Sequence, residues 1–440
     1  MMIPEHEDAL TPRPPRRWWH LATVDVTPLR RHRDFRLLFV GRFVSFFGSM
    51  ISSVAFPYQV YQLTHSVLLV GALGVLEFGA ILAFAFVGGA LADARDRRVM
   101  VLLSEAALMG CSVLLAGNAA VQHPQVWLLF IVATAWGLLD AIQRPSLDAM
   151  LPRLVDKNEL AAAASLGSIR STLGQILGPA LGGVLIAAFG LSVTYLVDVG
   201  TFLVGLACLG MMRAVPPPLD AERPSLRRVV EGLRYARSRQ ELIGTYLVDM
   251  VAMFFGMPIA LFPAIAQGLG GAKVLGLLYA APAVGSFVFS ATSGWTNRVH
   301  RHGIGVIVAA TLWGIAIIGF GLSPVLWLAL FFLALAGAAD MMSGVFRMVI
   351  WNQTIPDSVR GRLASIEMLS YTSGPALGNF EAGVIASLFN VRVSVVSGGV
   401  LCVLGCVLCA VALPLFRAYD ARLYHLAPDP QPGHVKREKQ

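Results

Sequence analysis

Twelve apolar runs, each about as long as a bilayer is thick, follow one another along this chain with little between them. They lie near 37–63, 67–92, 99–120, 126–149, 159–188, 191–212, 241–267, 274–296, 304–322, 325–350, 363–388 and 392–415. A helix rises about 1.5 Å per residue, so about 20 apolar residues cross the hydrocarbon core of a membrane. Turn and polar signals punctuate the runs, as at Thr64-His65-Ser66, Gln122-His123-Pro124-Gln125 and Gly268 to Gly271. Charged residues are only 14% of the chain, against 56% hydrophobic; an ordinary soluble domain carries roughly 25% charged residues. Too few charges remain to cover a water-facing surface, which excludes soluble enzymes, nucleic-acid binders and disordered scaffolds.

The net charge of +8 invites a nucleic-acid reading until the cations are placed. Of 34 Lys and Arg, 28 fall in the tails, the middle segment and every second connection. The remaining connections hold only Lys273 and Arg392, and Arg42, Arg144, Arg170 and Arg347 lie inside apolar runs. Basic residues stay on the cytoplasmic side of a membrane. The pattern therefore predicts an even number of spans with both termini in the cytoplasm, in a multi-pass protein of the cytoplasmic membrane. The first run, following a basic stretch without a cleavage pattern, is expected to be a retained helix. Attraction to anionic lipid is a secondary effect of the same charges.

Five segments follow: a cytoplasmic tail 1–36, a six-helix unit 37–212, a linker 213–240, a second six-helix unit 241–415 and a tail 416–440. The linker opens with three prolines, and Leu226, Val229, Val230 and Leu233 then fall at helical spacing opposite arginines. This predicts an amphipathic helix on the membrane surface, read foremost as a tether, with a regulatory or partner site as the other reading. The two units look related. Gly178-Pro179-Ala180-Leu181-Gly182 recurs as Gly374-Pro375-Ala376-Leu377-Gly378, and Gly137 and Asp140 as Gly337 and Asp340, at offsets of 196 and 200. Parallel repeats of this kind place a substrate site near mid-membrane between two rocking halves.

The sequence Gly89-Ala90-Leu91-Ala92-Asp93-Ala94-Arg95-Asp96-Arg97-Arg98 is similar to the Gly-x-Leu-x-Asp-Arg-x-Gly-Arg-Arg loop of the major facilitator superfamily. Ala94 and Asp96 depart from it. With Gly41-Arg42-Phe43-Val44-Ser45-Phe46-Phe47, Thr64-His65-Ser66, Gly276-Leu277-Leu278-Tyr279-Ala280-Ala281 and Arg360-Gly361-Arg362, the chain resembles the branch holding enterobactin and macrolide efflux proteins. The resemblance covers nearly the whole chain. It implies an all-α polytopic membrane protein, with twelve transmembrane helices as two pseudo-symmetric six-helix bundles. The function it implies is a secondary active exporter of an amphipathic small molecule, of the enterobactin type, by alternating access and proton antiport. Multidrug or macrolide efflux stands close behind; an uptake permease and a non-transport membrane protein stand further back.

Charges at mid-membrane depth need a reason. Glu77 and Arg170 lie ten or eleven residues into the second and fifth runs, roughly midway, and Asp249 about eight into the seventh. Asp140 and Asp340 lie deeper, towards the cytoplasm. Burial raises a carboxyl pKa and a nearby cation lowers it, so an acid facing two compartments in turn can carry protons. Glu77 is the first proton-coupling candidate, with Asp249, Asp140 and Asp340 behind it. Arg170 and Arg42 are candidates for binding an anionic or phenolic group or for counter-charge; a fixed ion pair between helices is the competing role. Arg42, Arg144, Arg347 and Glu367 lie close enough to the boundary to snorkel, and Asp140 and Arg144, four apart, are placed to neutralise each other.

Gly174, Gly178, Pro179, Gly182 and Gly183 resemble the superfamily's antiporter motif, which implies a bent gating helix; small residues at this spacing also allow simple close packing. The resemblance gives Gly89, Asp93, Arg95, Arg97 and Arg98 the role of a cytoplasmic gate, with a solvated charge run that only fixes topology as the other reading. No histidine lies inside a run, Cys402, Cys406 and Cys409 read as packing residues, and no Gly-x4-Gly-Lys-Ser/Thr loop occurs. Neither a metal, a cofactor nor a catalytic constellation is expected, nor a nucleic-acid partner; substrate, protons and membrane lipid are, for a monomer.

Overall fold

Lipid cannot hydrogen-bond a peptide group, so each crossing segment must satisfy its own backbone, and a helix does so within one strand of chain. A computed structural model describes residues 25–94, 96–215 and 234–424, with the side chains of all but 85–94, 357–362, 364–366, 368, 369, 423 and 424. Its helices follow the apolar runs closely. They are α1 (Arg33–Thr64), α2 (Val67–Ala94), α3 (Arg97–Ala120) and α4 (Val126–Leu154), then α5 and α6 within Leu160–Gly210. After the linker come α7 (Gln240–Leu269), α8 (Ala272–Thr292), α9 (His302–Leu322), α10 (Leu326–Thr354), α11 (Asp357–Leu388) and α12 (Val391–Ala412). Gly190 divides α5 (160–189) from α6 (191–210) with φ of 81°, a backbone state that glycine adopts without a Cβ penalty. Ten described stretches are long and apolar enough to cross a membrane. One of them holds both α5 and α6, and α11 adds another, which fits the expected twelve.

The side with the Lys- and Arg-rich connections is here called the basic side, and its opposite the far side. Trp127 and Trp327 open α4 and α10 on the far side, 59% and 77% exposed, as indoles at a membrane interface do. They stand 200 positions apart, a further sign of the repeat.

Helices α1 to α6 pack among themselves, as do α7 to α12, and the halves meet mainly where α2 crosses α11 and α5 meets α8. These seams are built on glycine. A Cβ on Gly71 would lie 2.6 Å from the Asn379 carbonyl oxygen, and one on Gly183 2.5 Å from that of Ala272. Gly276 faces Gly183, and Gly383 faces Val67 and Leu68. Every one of these contacts lies in the far half of the membrane.

Short segments fasten the basic side. Arg31 Nη1 and His32 Nε2 bond the two oxygens of Glu159 at 3.1 and 2.8 Å, tying the entrance of α1 to that of α5. Phe416 is fully buried after α12. The amphipathic helix expected at 226–233 lies outside the described residues. The helical stretch 234–238 that follows is described, and its Tyr235 hydroxyl donates to the Thr354 carbonyl. His302, expected in a connection, is instead the first residue of α9, buried and stacked on Phe346 at 5.4 Å.

Candidate functional site

A cavity of about 430 Å³ opens between the halves. The N-terminal half supplies most of its wall: Arg42, Phe46, Met50 and Phe56 from α1, Glu77 from α2, and Trp136, Asp140 and Gln143 from α4. The C-terminal half adds Ile259, Ala260, Tyr279 and Asn379. Glu77 and Asp140 therefore share one cavity. Close packing explains how they come together. Gly137, one turn before Asp140, lies so near α2 that a Cβ would strike the Glu77 carbonyl.

Arg42 corrects the snorkelling expectation. Its guanidinium forms an ion pair with Glu105 of α3, a carboxylate with no exposed surface, and bonds Gln143 Oε1 at 3.4 Å. Ser45 and Gln143 also donate to Glu105 Oε1, at 3.4 and 3.3 Å. Reaching the headgroups would leave Glu105 charged and alone in a medium of low dielectric, so pairing wins over hydration. Among the described residues, the Nε of Arg42 and Oε2 of Glu105 are buried without a hydrogen-bond partner. Asp140 turns to the cavity while Arg144 is exposed.

Arg170 sits behind this wall, its guanidinium carbon 5.7 Å from the centre of the Phe46 ring, which faces the cavity. A cation on a ring face is held by the ring quadrupole, and among the described residues Nε of Arg170 is buried without a hydrogen-bond partner. Gly174, Gly178 and Gly182 of α5 meet Phe46, Met50 and Ile51 of α1, whereas Gly183 meets α8. The expected gating helix thus touches the cavity wall on one face and the opposite half on the other.

In the C-terminal half, Asp249, Asp340 and Arg347 come together away from the cavity lining. Arg347 is 3% exposed, pairs with Asp249, and lies 3.9 Å from Asp340. It also covers the Tyr371 ring at 5.5 Å. Here too burial replaces snorkelling, because two carboxylates lie within reach of the guanidinium. Glu367 is half-buried.

The loop expected to act as a gate is only partly described: Arg95 and the side chains of Gly89 and Asp93 fall outside the described residues. Arg97 donates to the Ala149 carbonyl at 2.9 Å, and Arg98 to the Leu209 and Gly210 carbonyls, joining α3 to the ends of α4 and α6. Asp96, standing where the superfamily motif has glycine, caps α3 by accepting from the Arg98 N–H at 2.8 Å. A Gly at that position would leave the helix end without this acceptor.

Several buried groups escaped the sequence reading. Glu105 is the first. Asp198 of α6 is 1% exposed and accepts from Ser52 and Ser112 at 2.7 and 2.8 Å. Both lie seven or eight residues inside a run, so the depth rule applied to every acid would have found them. Asn379 carries no charge and follows directly on the repeated Gly-Pro-Ala-Leu-Gly stretch; nothing in the sequence marks it. Among the described residues, the group with metal-ligand chemistry is His32, Asp156 and Glu159, whose ligand atoms lie within 4.8 Å of one another. It sits on the basic side, outside the cavity lining, where Arg31 pairs with Glu159 and His32 hydrogen-bonds it.

Comparison with known proteins agrees with this fold. Residues 23–438 match the family model described as "Transmembrane secretion effector". The enterobactin exporter EntS of Citrobacter koseri is 29% identical over 388 residues, spanning 88% of this chain and 93% of that protein. EntS of Shigella boydii serotype 4 is 28% identical over 398 residues, spanning 90% and 95%. A bacterial homologue of the human lysosomal transporter Spinster, solved inward-facing and unoccupied, superposes with a TM-score of 0.66 at 17% identity, covering 89% of this chain and 97% of that one.

Proposed function

Because this chain belongs to the transmembrane secretion effector family of the major facilitator superfamily, we propose that it exports an amphipathic small molecule of the enterobactin siderophore kind, by alternating access with proton antiport. The observation that carries this reading is the cavity shared by the two halves, with two carboxylates and an arginine in a wall of aromatic, aliphatic and a few uncharged polar side chains. The named activity of the EntS relatives supplies the substrate class. In this reading the units 37–212 and 241–415 rock about the cavity, the basic side faces the cytoplasm with both termini, and the far-side glycine seams hold an inward-facing state. Glu77, with Asp140 beside it, takes the proton; Arg42 meets the anionic or phenolic part of the substrate, and Arg170, behind Phe46, supplies counter-charge. Arg97 and Arg98, with Gly89, Asp93 and Arg95 of the same loop, form the cytoplasmic gate, and the protein acts as a monomer.

A second reading, efflux of hydrophobic drugs of the macrolide kind, draws on Phe46, Met50, Phe56, Trp136 and Phe202 in the wall. Everted vesicles separate the two. With an imposed proton gradient, uptake of a catecholate siderophore should exceed that of a macrolide and should be matched by proton release. Siderophore uptake that ignores the gradient would overturn antiport, and macrolide uptake alone would overturn the substrate class.

A further inference from the structure

The seventh helix is broken where it meets the cavity. Its first part ends at Phe255, Gly256 and Pro258 interrupt it, and helix resumes at Phe262 after a single tight turn, Ile259–Leu261. Backbone groups freed inside a membrane must find partners, and side chains from elsewhere provide them. Trp313 of α9 donates its indole N–H to the Gly256 carbonyl at 3.1 Å. Asn379 of α11 accepts the Ala260 N–H on Oδ1 at 2.8 Å.

That second bond also fixes which way the carboxamide points. An N–H donor requires the oxygen, so Nδ2 is the other end. Asn379 lines the cavity, and among the described residues Nδ2 has no protein partner. Apart from Tyr279, it is the only polar side chain that the described C-terminal half brings to the wall. Its backbone occupies the seam itself, where the Asn379 carbonyl fills the space above Gly71 of α2. One residue thus touches the broken helix, the seam between halves and the cavity.

We propose that Asn379 is the positioning residue through which the C-terminal half engages the substrate and holds the far-side seam shut. Its oxygen keeps the break in α7 docked on α11, and its amide hydrogens face an oxygen acceptor on the substrate. The Ile259–Leu261 turn and α11 both pack on α2, so the Ala260 bond keeps together the surface on which α2 closes, and the residue that meets the substrate also bears on the gate. The substrate half of this assignment rests on the export reading; the seam half does not.

The test uses full-length protein in lipid vesicles with spin labels at His65→Cys and Leu388→Cys, exposed sites on the far side of the two halves. Asn379→Ala should shift the empty protein towards longer separations. Asn379→Asp keeps an acceptor for Ala260 and should leave the separations as in the parent, while raising KM for a catecholate siderophore by about fivefold to tenfold, the worth of one ordinary hydrogen bond. Unchanged separations in Asn379→Ala overturn the seam assignment. A longer separation in Asn379→Asp does the same, since its acceptor is intact, and an unchanged KM there overturns substrate contact. Should Asn379→Ala fail to insert, Asn379→Gln, which moves both amide ends by one methylene, must lengthen the separation instead. If the parent moves no siderophore at all, the export reading fails and the separations still decide the seam.

Discussion

The two halves share a fold and a repeat but place their membrane charges differently. In the C-terminal half Arg347 is enclosed by Asp249, Asp340 and the Tyr371 ring, away from the cavity lining. In the N-terminal half Arg42 neutralises Glu105, yet Glu77 and Asp140 line the cavity beside it. The repeat makes the difference specific. Gly137 packs on the backbone of Glu77, and its counterpart Gly337 packs on that of Pro282. Where one half presents a carboxylic acid, the other presents a proline. An ion pair as buried as Arg347 with Asp249 locks helices together, whereas acids on a cavity wall can exchange protons with whatever fills it. We read the C-terminal half as the more static partner and the N-terminal half as the chemical one.

The comparison breaks most clearly at Glu77. Glu77→Gln keeps size and hydrogen bonding but cannot ionise, and substrate-driven proton movement in vesicles should fall to background with the protein still inserted. Wild-type coupling in that variant would remove the N-terminal half's special status. Next comes Arg347→Ala, which strands buried Asp249 and should cost about 3–5 kcal/mol of stability, read as a lowered Tm in detergent. Replacing both partners, Arg347→Met with Asp249→Leu, should recover most of that loss and retain proton coupling; loss of coupling in the stable double variant would show that this half also does chemistry.

Seam substitutions come third. Gly183→Val drives two methyls into the α8 backbone and should cost about 1–3 kcal/mol, with the spin-label separation across the far side lengthening. An unchanged separation would mean that α5 and α8 are not part of the closed seam. The smallest effect belongs to the half-exposed pair on the basic side. Arg31→Ala should alter stability by less than about 1 kcal/mol, and a larger loss would mark Glu159 as a fixed point of the N-terminal half.

Much of the architecture was legible because membrane proteins write it in composition. The twelve runs match the helices closely, and the break expected between the fifth and sixth runs falls at Gly190. The repeat was legible too, since Gly178 and Gly374 each pack on the neighbouring first helix of their own half. Glu77 and Asp140 were found by depth alone. Partnership was not legible. Depth placed Arg42 and Arg347 near the boundary, and only the lateral neighbours, Glu105 on α3 and Asp249 on α7, decided that they turn inward. Sequence spacing gives a residue's height in the membrane but not the helix beside it.

The sequence by itself determined an all-helical chain in lipid, its count of crossings, its repeated halves and the acids at mid-depth, because the cost of burying charge and backbone depends on local composition. Tertiary structure decided which charges are cancelled and which face the cavity, where α7 breaks, and that Asn379 stands at the seam. Those outcomes depend on which helices touch, and contact between segments far apart in the chain leaves no local signature.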